Sequence, residues 1–147
     1  MDRTITANTS ATPQQLHDIV ADLTTYPAWL GLVMKVEPVD GGNDEPGPAF
    51  LVTLRAKVGP FARNKRLRMV RTANEQPRTV RFERFEVDGR NHSSWVMTSE
   101  VSAASTGSTV DVRLMYQGQL WDGLLEGVLD NAVRDAVPRL RRYANTD

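Results

Sequence analysis

Two histidines, His17 and His92, are the side chains of this 147-residue chain whose ordinary pKa lies near neutrality. His17 flanks an apolar stripe in a segment of helical spacing, which predicts a solvated or partly covered surface residue. His92 follows the turn sequence DGRN where a strand begins; in a cavity it would serve as a general base, whereas turn-adjacent histidines usually stand in solvent. Neither has a second ligand at helix or strand spacing, so no metal site is expected. Glu100 ends the run SSWVMTSEV. Facing a cavity, its carboxyl would be desolvated and become an acid; facing outward, it would pair across strands with an arginine. It has the opposite parity to Trp95 and Met97, so all three cannot line one cavity without a bulge. With Tyr116 on the apolar face of a later strand, the catalytic candidates are His92, Glu100 and Tyr116.

Other chemistries are excluded by what is missing. There is no cysteine, hence no disulfide and no thiolate zinc site. There is no Gly-x-Ser-x-Gly elbow and no Ser-x-x-Lys pair, and the glycine-rich stretch DGGNDEPGP is acidic and leads into a strand, unlike a phosphate cradle. No cofactor is indicated. Eighteen basic and eighteen acidic side chains cancel, so no global field points to nucleic acid or an anionic membrane. Residues 46–74 do hold seven cations (Arg55, Lys57, Arg63, Lys65, Arg66, Arg68 and Arg71) and no acid, a hairpin able to meet an anionic head group, an acidic partner or RNA. Arg66 and Arg68 alternate with Leu67 and Met69, however, as the solvated side of an amphipathic strand does. Glu83, Glu86 and Asp111 are available to balance them. Phe61 is a lone loop ring rather than part of a stacking platform, so no nucleic-acid partner is expected.

The elements that must position these groups are readable. Residues 3–9 alternate as a strand. Thr12, Pro13 and Gln15 form a capping-box start for a helix whose stripe is Leu16, Ile19, Val20 and Leu23, and which should stop before Pro27. A short second helix or turn is expected at 27–31, carrying Trp29 and Leu30. Strands follow near 33–39, 49–58, 63–72, 79–87, 93–102 and 108–117, separated by turn chemistry. Phe50, Val52, Leu54, Ala56 and Val58 share one face, as do Val110, Val112, Leu114 and Tyr116. Two strands conflict: Val80 and Phe82 oppose Phe85 and Val87, suggesting a bulge near 83–84, and Trp95 and Met97 oppose Val96. A last helix runs from about Trp121 to Tyr143, with Leu125, Val128, Leu129, Ala132, Val133, Ala136 and Leu140 on one arc and Pro138 expected to kink its end. The N-terminus MDRTITANTSA has no apolar leader region and no run approaches a membrane span, so a soluble, cytoplasmic single domain over 1–147 is expected.

The stretches ATPQQLHDIVADLTTYPAWLGLVMKVEPV, FLVTLRAKVGPFARNKRLRMV and STVDVRLMYQGQLWDGLLEGVL resemble the SRPBCC superfamily, also called START-like or Bet v 1-like. Within it they resemble the bacterial polyketide cyclase/dehydrase and lipid-transport branch. The resemblance covers essentially the whole chain and is specific for fold rather than function. It implies an α+β helix-grip fold: a seven-stranded, curved antiparallel sheet wrapped around a long C-terminal helix, with two short helices between the first two strands. An apolar cavity would lie between sheet and helix, with Tyr26, Pro27 and Trp29 at its mouth; the alternative is that these rings plug the core. The resemblance points to a binder of a lipid, isoprenoid, quinone or polyketide, monomeric or homodimeric. The expected lining is Phe50, Val52, Leu54, Leu67, Met69, Trp95, Leu114 and Tyr116 from the strands and Leu125, Val128 and Ala132 from the helix, with Tyr26, Trp29 and Phe61 at the border. A cyclase or dehydratase using polar cavity groups and a protein-interaction module using the basic hairpin 55–71 are the alternatives.

Overall fold

A computed structural model describes residues 1–42, 44–58, 60–118 and 122–145, with 58 and 122–125 described for the backbone alone. Strand β1 (Asp2–Thr9) leads through a tight cap into α1 (Pro13–Val20). The capping box forms as its sequence dictates: Thr12 Oγ1 accepts from Gln15 N at 3.1 Å, and Gln15 Oε1 accepts from Thr12 N at 2.9 Å. The second helix is a 3-10 segment at Leu23–Ala28, earlier than the expected 27–31, because the Asp22 carboxylate caps it by accepting from Thr24 N. Pro27 sits inside this segment and Trp29 closes it.

Six more strands follow: β2 (Val33–Val39), β3 (Ala49–Val58), β4 (Phe61–Glu75), β5 (Thr79–Arg84), β6 (Ser94–Ala104) and β7 (Gly107–Gln117). All pair antiparallel in the order β1-β7-β6-β5-β4-β3-β2. Helix α2 (Asp122–Ala144) packs on the inner face, against β1 and β3. Its arc of Leu129, Ala132, Ala136 and Leu140 is buried there, and it continues through Pro138 to Ala144. Trp121, expected at its start, lies outside the described residues. Polar ties fix the helix to the first strand: Arg3 Nε meets Asp130 at 2.6 Å, and Arg141 Nε donates to the Asn8 carbonyl at 3.0 Å. The seven-stranded, helix-grip architecture is therefore the one expected.

Register resolves both strand conflicts. β5 ends at Arg84, so Phe85 (51% exposed) and Val87 (72% exposed) lie beyond the strand, and the irregularity falls in β4, between Arg71 and Ala73. On β6, Trp95 faces Tyr116 and Met97 faces Leu114, which sets both on the inner side. Val96 points the other way and is still buried, which is why alternation alone left the strand ambiguous.

The early end of β5 leaves a break. Strand β4 keeps β3 beside it from Phe61 onward, but its pairing with β5 starts at Met69. Strand β6 likewise pairs with β5 from Val96, not from Ser94. Residues 85–93 fill the gap, and Phe85 N bonds to the Arg68 carbonyl at 2.8 Å.

Candidate functional site

The inner face of the sheet is apolar along most of its length. Phe50, Val52 and Leu54 of β3, Leu67 and Met69 of β4, Phe82 of β5, Trp95 and Met97 of β6, and Leu114 and Tyr116 of β7 are all buried on it. Ala132 of α2 is buried opposite and Val128 is half-buried; the Leu125 side chain lies outside the described residues. The strand residues among the expected lining thus share one face of the sheet, with Phe82 and Met97 beside them.

Tyr26 and Trp29 have no solvent exposure, so the expectation that they border a mouth is corrected in favour of the plug. Their ring centres are 4.4 Å apart, and Tyr26 meets the edge of Phe82 at 6.2 Å, which in turn meets Phe50 at 6.1 Å. The Tyr26 hydroxyl donates to the Val20 carbonyl at 2.8 Å, satisfying the end of α1. Burial holds its phenol well above the ordinary value of 10.0. Rings so placed serve as packing between the 3-10 segment and the sheet. Phe61 is displaced in the opposite sense: it stands 74% exposed near the β3–β4 turn and lines nothing.

A second aromatic pair, Trp95 and Tyr116, lies at the other end of the face, with centres 4.6 Å apart. Here the face becomes polar. Pairing of Leu54 with Lys65 puts that lysine on the inner side, and its ammonium stands 5.9 Å from the centre of the Tyr116 ring. Burial, and then the nearby Arg84, pull the lysine below its ordinary pKa of 10.5, while Glu86 opposes them. Arg84 follows Val80 and Phe82 at strand spacing and is almost wholly covered: Nε meets Glu86 at 2.8 Å, Nη1 donates to the Ser93 carbonyl at 3.2 Å, and Nη2 lies 3.3 Å from His92 Nδ1. The Trp95 indole N–H is buried and donates to no acceptor in the structure. Beside this cluster is an open depression of ≈ 300 Å³ walled by Arg84, Glu86, Asn91, His92 and Ser93.

Neither expected acid–base group is poised for catalysis. A guanidinium has donors alone, so His92 Nδ1 must accept from Arg84 and Nε2 must carry the proton it gives to Asp88 at 2.8 Å. The lone pair that a general base needs is occupied. Glu100 is corrected to the outer face: it is exposed and pairs in register with Asp111 there, as its parity with the outward Thr98 requires. It borders a shallow outer depression with Arg81 and Arg113. Tyr116 alone of the three faces inward.

Two polar groups behave differently from their sequence setting. His17 is fully buried rather than solvated, because β4 extends to Glu75 and brings Asn74 Oδ1 within 2.7 Å of its Nε2. Arg68, expected in solvent, is buried under the acidic loop 40–48. Glu45 grips it with both oxygens at 2.6 Å, and the Asp40 and Phe85 carbonyls accept from the same guanidinium. That contact, with the Gly42 N–H, lowers the Glu45 carboxyl to about 2. Part of the basic hairpin is therefore answered from within the chain. Among the described residues there is no cluster of three or more potential metal ligands and no helix long and apolar enough to cross a membrane.

The sequence signal for Lys65 and Arg84 was parity. Lys65 shares its face with Leu67 and Met69, and Arg84 with Val80 and Phe82. A charge in phase with an apolar stripe is the signature of a polar group set into a core face.

Comparison with known proteins agrees with this geometry. Residues 1–145 match the family described as polyketide cyclase / dehydrase and lipid transport. No curated protein matches the chain in sequence. Among solved structures, protein CV1439 of Chromobacterium violaceum superposes with a TM-score of 0.69 at 10% identity, covering 99% of this chain and 98% of that one. The ZhuI aromatase/cyclase of Streptomyces sp. R1128 superposes at 0.59 and 13% identity, over 98% and 92%. Ara h 8.0201 does so at 0.59 and 16%, over 98% and 97%. At these identities the likeness is one of fold.

Proposed function

The chain belongs to the polyketide cyclase/dehydrase and lipid-transport family of the SRPBCC, or START-like, superfamily, and from that premise we propose that it binds a hydrophobic or aromatic small molecule between sheet and α2. The observation that carries this reading is the composition of the inner face: buried apolar side chains along β3, β4, β6 and β7 that end at Trp95 and Tyr116, where hydrogen-bond donors converge. Small-molecule sites have this character, apolar walls with a few placed polar groups. A purely structural core would have no reason to hold a buried indole N–H without an acceptor, since that costs about 1–3 kcal/mol. The chain would act as a single cytoplasmic domain, monomeric or homodimeric, without nucleic acid.

The test uses a neutral apolar fluorophore, N-phenyl-1-naphthylamine. Saturable, one-to-one binding with enhanced emission, competed by other apolar molecules, is expected. Emission that rises without saturation, as at a nonspecific surface, would refute the reading. Native mass spectrometry of the freshly purified protein gives the complementary observation, a copurifying apolar ligand.

A cyclase or dehydratase is the second reading, favoured by Lys65 and Tyr116 lying together at the polar end of the face. A half-buried lysine of lowered pKa beside a phenol is a reasonable proton-transfer pair. Turnover abolished by Tyr116→Phe, in a variant that still binds the fluorophore, would establish it over simple carriage.

A further inference from the structure

Independently of any guest, we propose that the end of the β3–β4 hairpin docks on an anionic lipid bilayer, with the Phe61 ring entering it. Phe61 opens β4, pairs in register with Val58 across the turn and stands in solvent. Its neighbours Pro60, Ala62, Arg63 and Asn64 are exposed as well. A single exposed ring is ordinary on a protein surface. This one has company: Phe85 and Val87, also exposed, belong to the segment that leaves β5 beside the same half of β4.

Cations ring this end of the hairpin. Pairing of Lys57 with Ala62, Ala56 with Arg63 and Arg55 with Asn64 sets three charges one, two and three residues back from Phe61. All three side chains are exposed. At about 3.4 Å per residue they stand within about 10 Å of Phe61 along the hairpin, close to the Debye length at physiological salt. Alternation divides them between faces: Arg55 and Lys57 on the outer one, Arg63 with Ala56 on the other. Charges on both faces match a partner met end-on, a plane of head groups. A protein lying on the hairpin would meet one face alone, and a lone ring gives RNA no stacking platform. Residues 46–74 contain no acid. Carboxylates to either side are engaged, Glu37 with Lys35 at 2.6 Å, Glu86 with Arg84 at 2.8 Å and Asp88 with His92 at 2.8 Å. Three cations also exceed what one further carboxylate could offset.

The test is flotation of the protein with vesicles of phosphatidylcholine alone and of phosphatidylcholine carrying ~30 mol % phosphatidylglycerol, at low ionic strength. Each basic side chain near an anionic surface is worth about fivefold, so three predict about hundredfold tighter binding to the charged vesicles, lost in ~0.5 M NaCl. Phe61→Ser should weaken that binding about tenfold, the ring no longer leaving water. Arg63→Glu should weaken it by about tenfold or more. Arg78→Glu makes the same change of net charge at the β4–β5 turn, the opposite end of β4, and should stay within about threefold of wild type. The three substituted side chains are exposed, so each variant should keep the wild-type melting temperature. Failure of the wild type to float with charged vesicles, or equal flotation with both kinds, would overturn the proposal without any variant. Equal losses in Arg63→Glu and Arg78→Glu would overturn the placement at the hairpin end, and full binding by Phe61→Ser would overturn entry of the ring. Capture by polyglutamate or RNA with no flotation would replace the bilayer by an acidic macromolecule.

Discussion

Replacing Trp29 by alanine separates a packing plug from a ligand lid. Trp29 has no solvent exposure and lies 4.4 Å from Tyr26, itself without exposure. Truncating a fully buried tryptophan removes its transfer free energy and leaves a cavity, together about 3–5 kcal/mol. A domain of 147 residues loses roughly 3 °C of melting temperature per kcal/mol, so the expected fall is about 10–15 °C. Total stability is commonly about 5–15 kcal/mol, so the variant should still fold at 15 °C. Thermal denaturation followed by far-UV circular dichroism reads the first number. Fluorophore titration at 15 °C reads the second, which should stay within about threefold of wild type, because the ring packs on Tyr26 of the 3-10 segment, whereas the Trp95–Tyr116 pair lies at the other end of the face. A fall of less than about 3 °C, with binding lost in a folded variant, would refute the reasoning and return Trp29 to the mouth.

Three further outcomes are expected. Burial raises the Tyr26 phenol, so its contribution to stability is fully present below the unfolded pKa near 10.0 and is lost as pH rises toward the folded value; Tyr26→Phe should flatten the alkaline fall in urea midpoint, and an unchanged slope would count against it. The Glu45 carboxyl is lowered to about 2 from 4.5, so its contribution is complete above the unfolded value and lost as pH falls through the folded one; wild type and Glu45→Gln should differ at pH 7 and converge near pH 2 in denaturant midpoints. Glu100→Gln changes an outer-face side chain, so fluorophore affinity should stay within about twofold; a tenfold loss would place that carboxyl inside.

Local chemistry made the frame legible. The Thr12–Gln15 box, the alternation of β3 and β7, and the arc of α2 each state their structure within a dozen residues, because capping and half-burial are short-range effects. What escaped depends on distant chain. The Glu45 contact with Arg68 joins a loop to a strand 23 residues away, and nothing near Arg68 in sequence distinguishes it from solvated Arg66. His17 needed the unforeseen length of β4 to bring Asn74 to it. The site was half legible: its apolar walls followed from parity, while its polar corner required knowing that β5 stops at Arg84 and lets Lys65, Trp95 and Tyr116 meet beside the gap.

That gap gives the sheet a seam. Elsewhere, parting two neighbouring strands means breaking a ladder of amide bonds, but between Phe61–Leu67 of β4 and the start of β6 there is no such ladder to break. Displacing residues 85–93 would therefore break no strand ladder at this place, and so belongs to the free-energy scale of a local opening rather than of global unfolding. Exchange of the amides in 85–93 should accordingly outrun that of β6 and β7, and slow when a guest seals the seam.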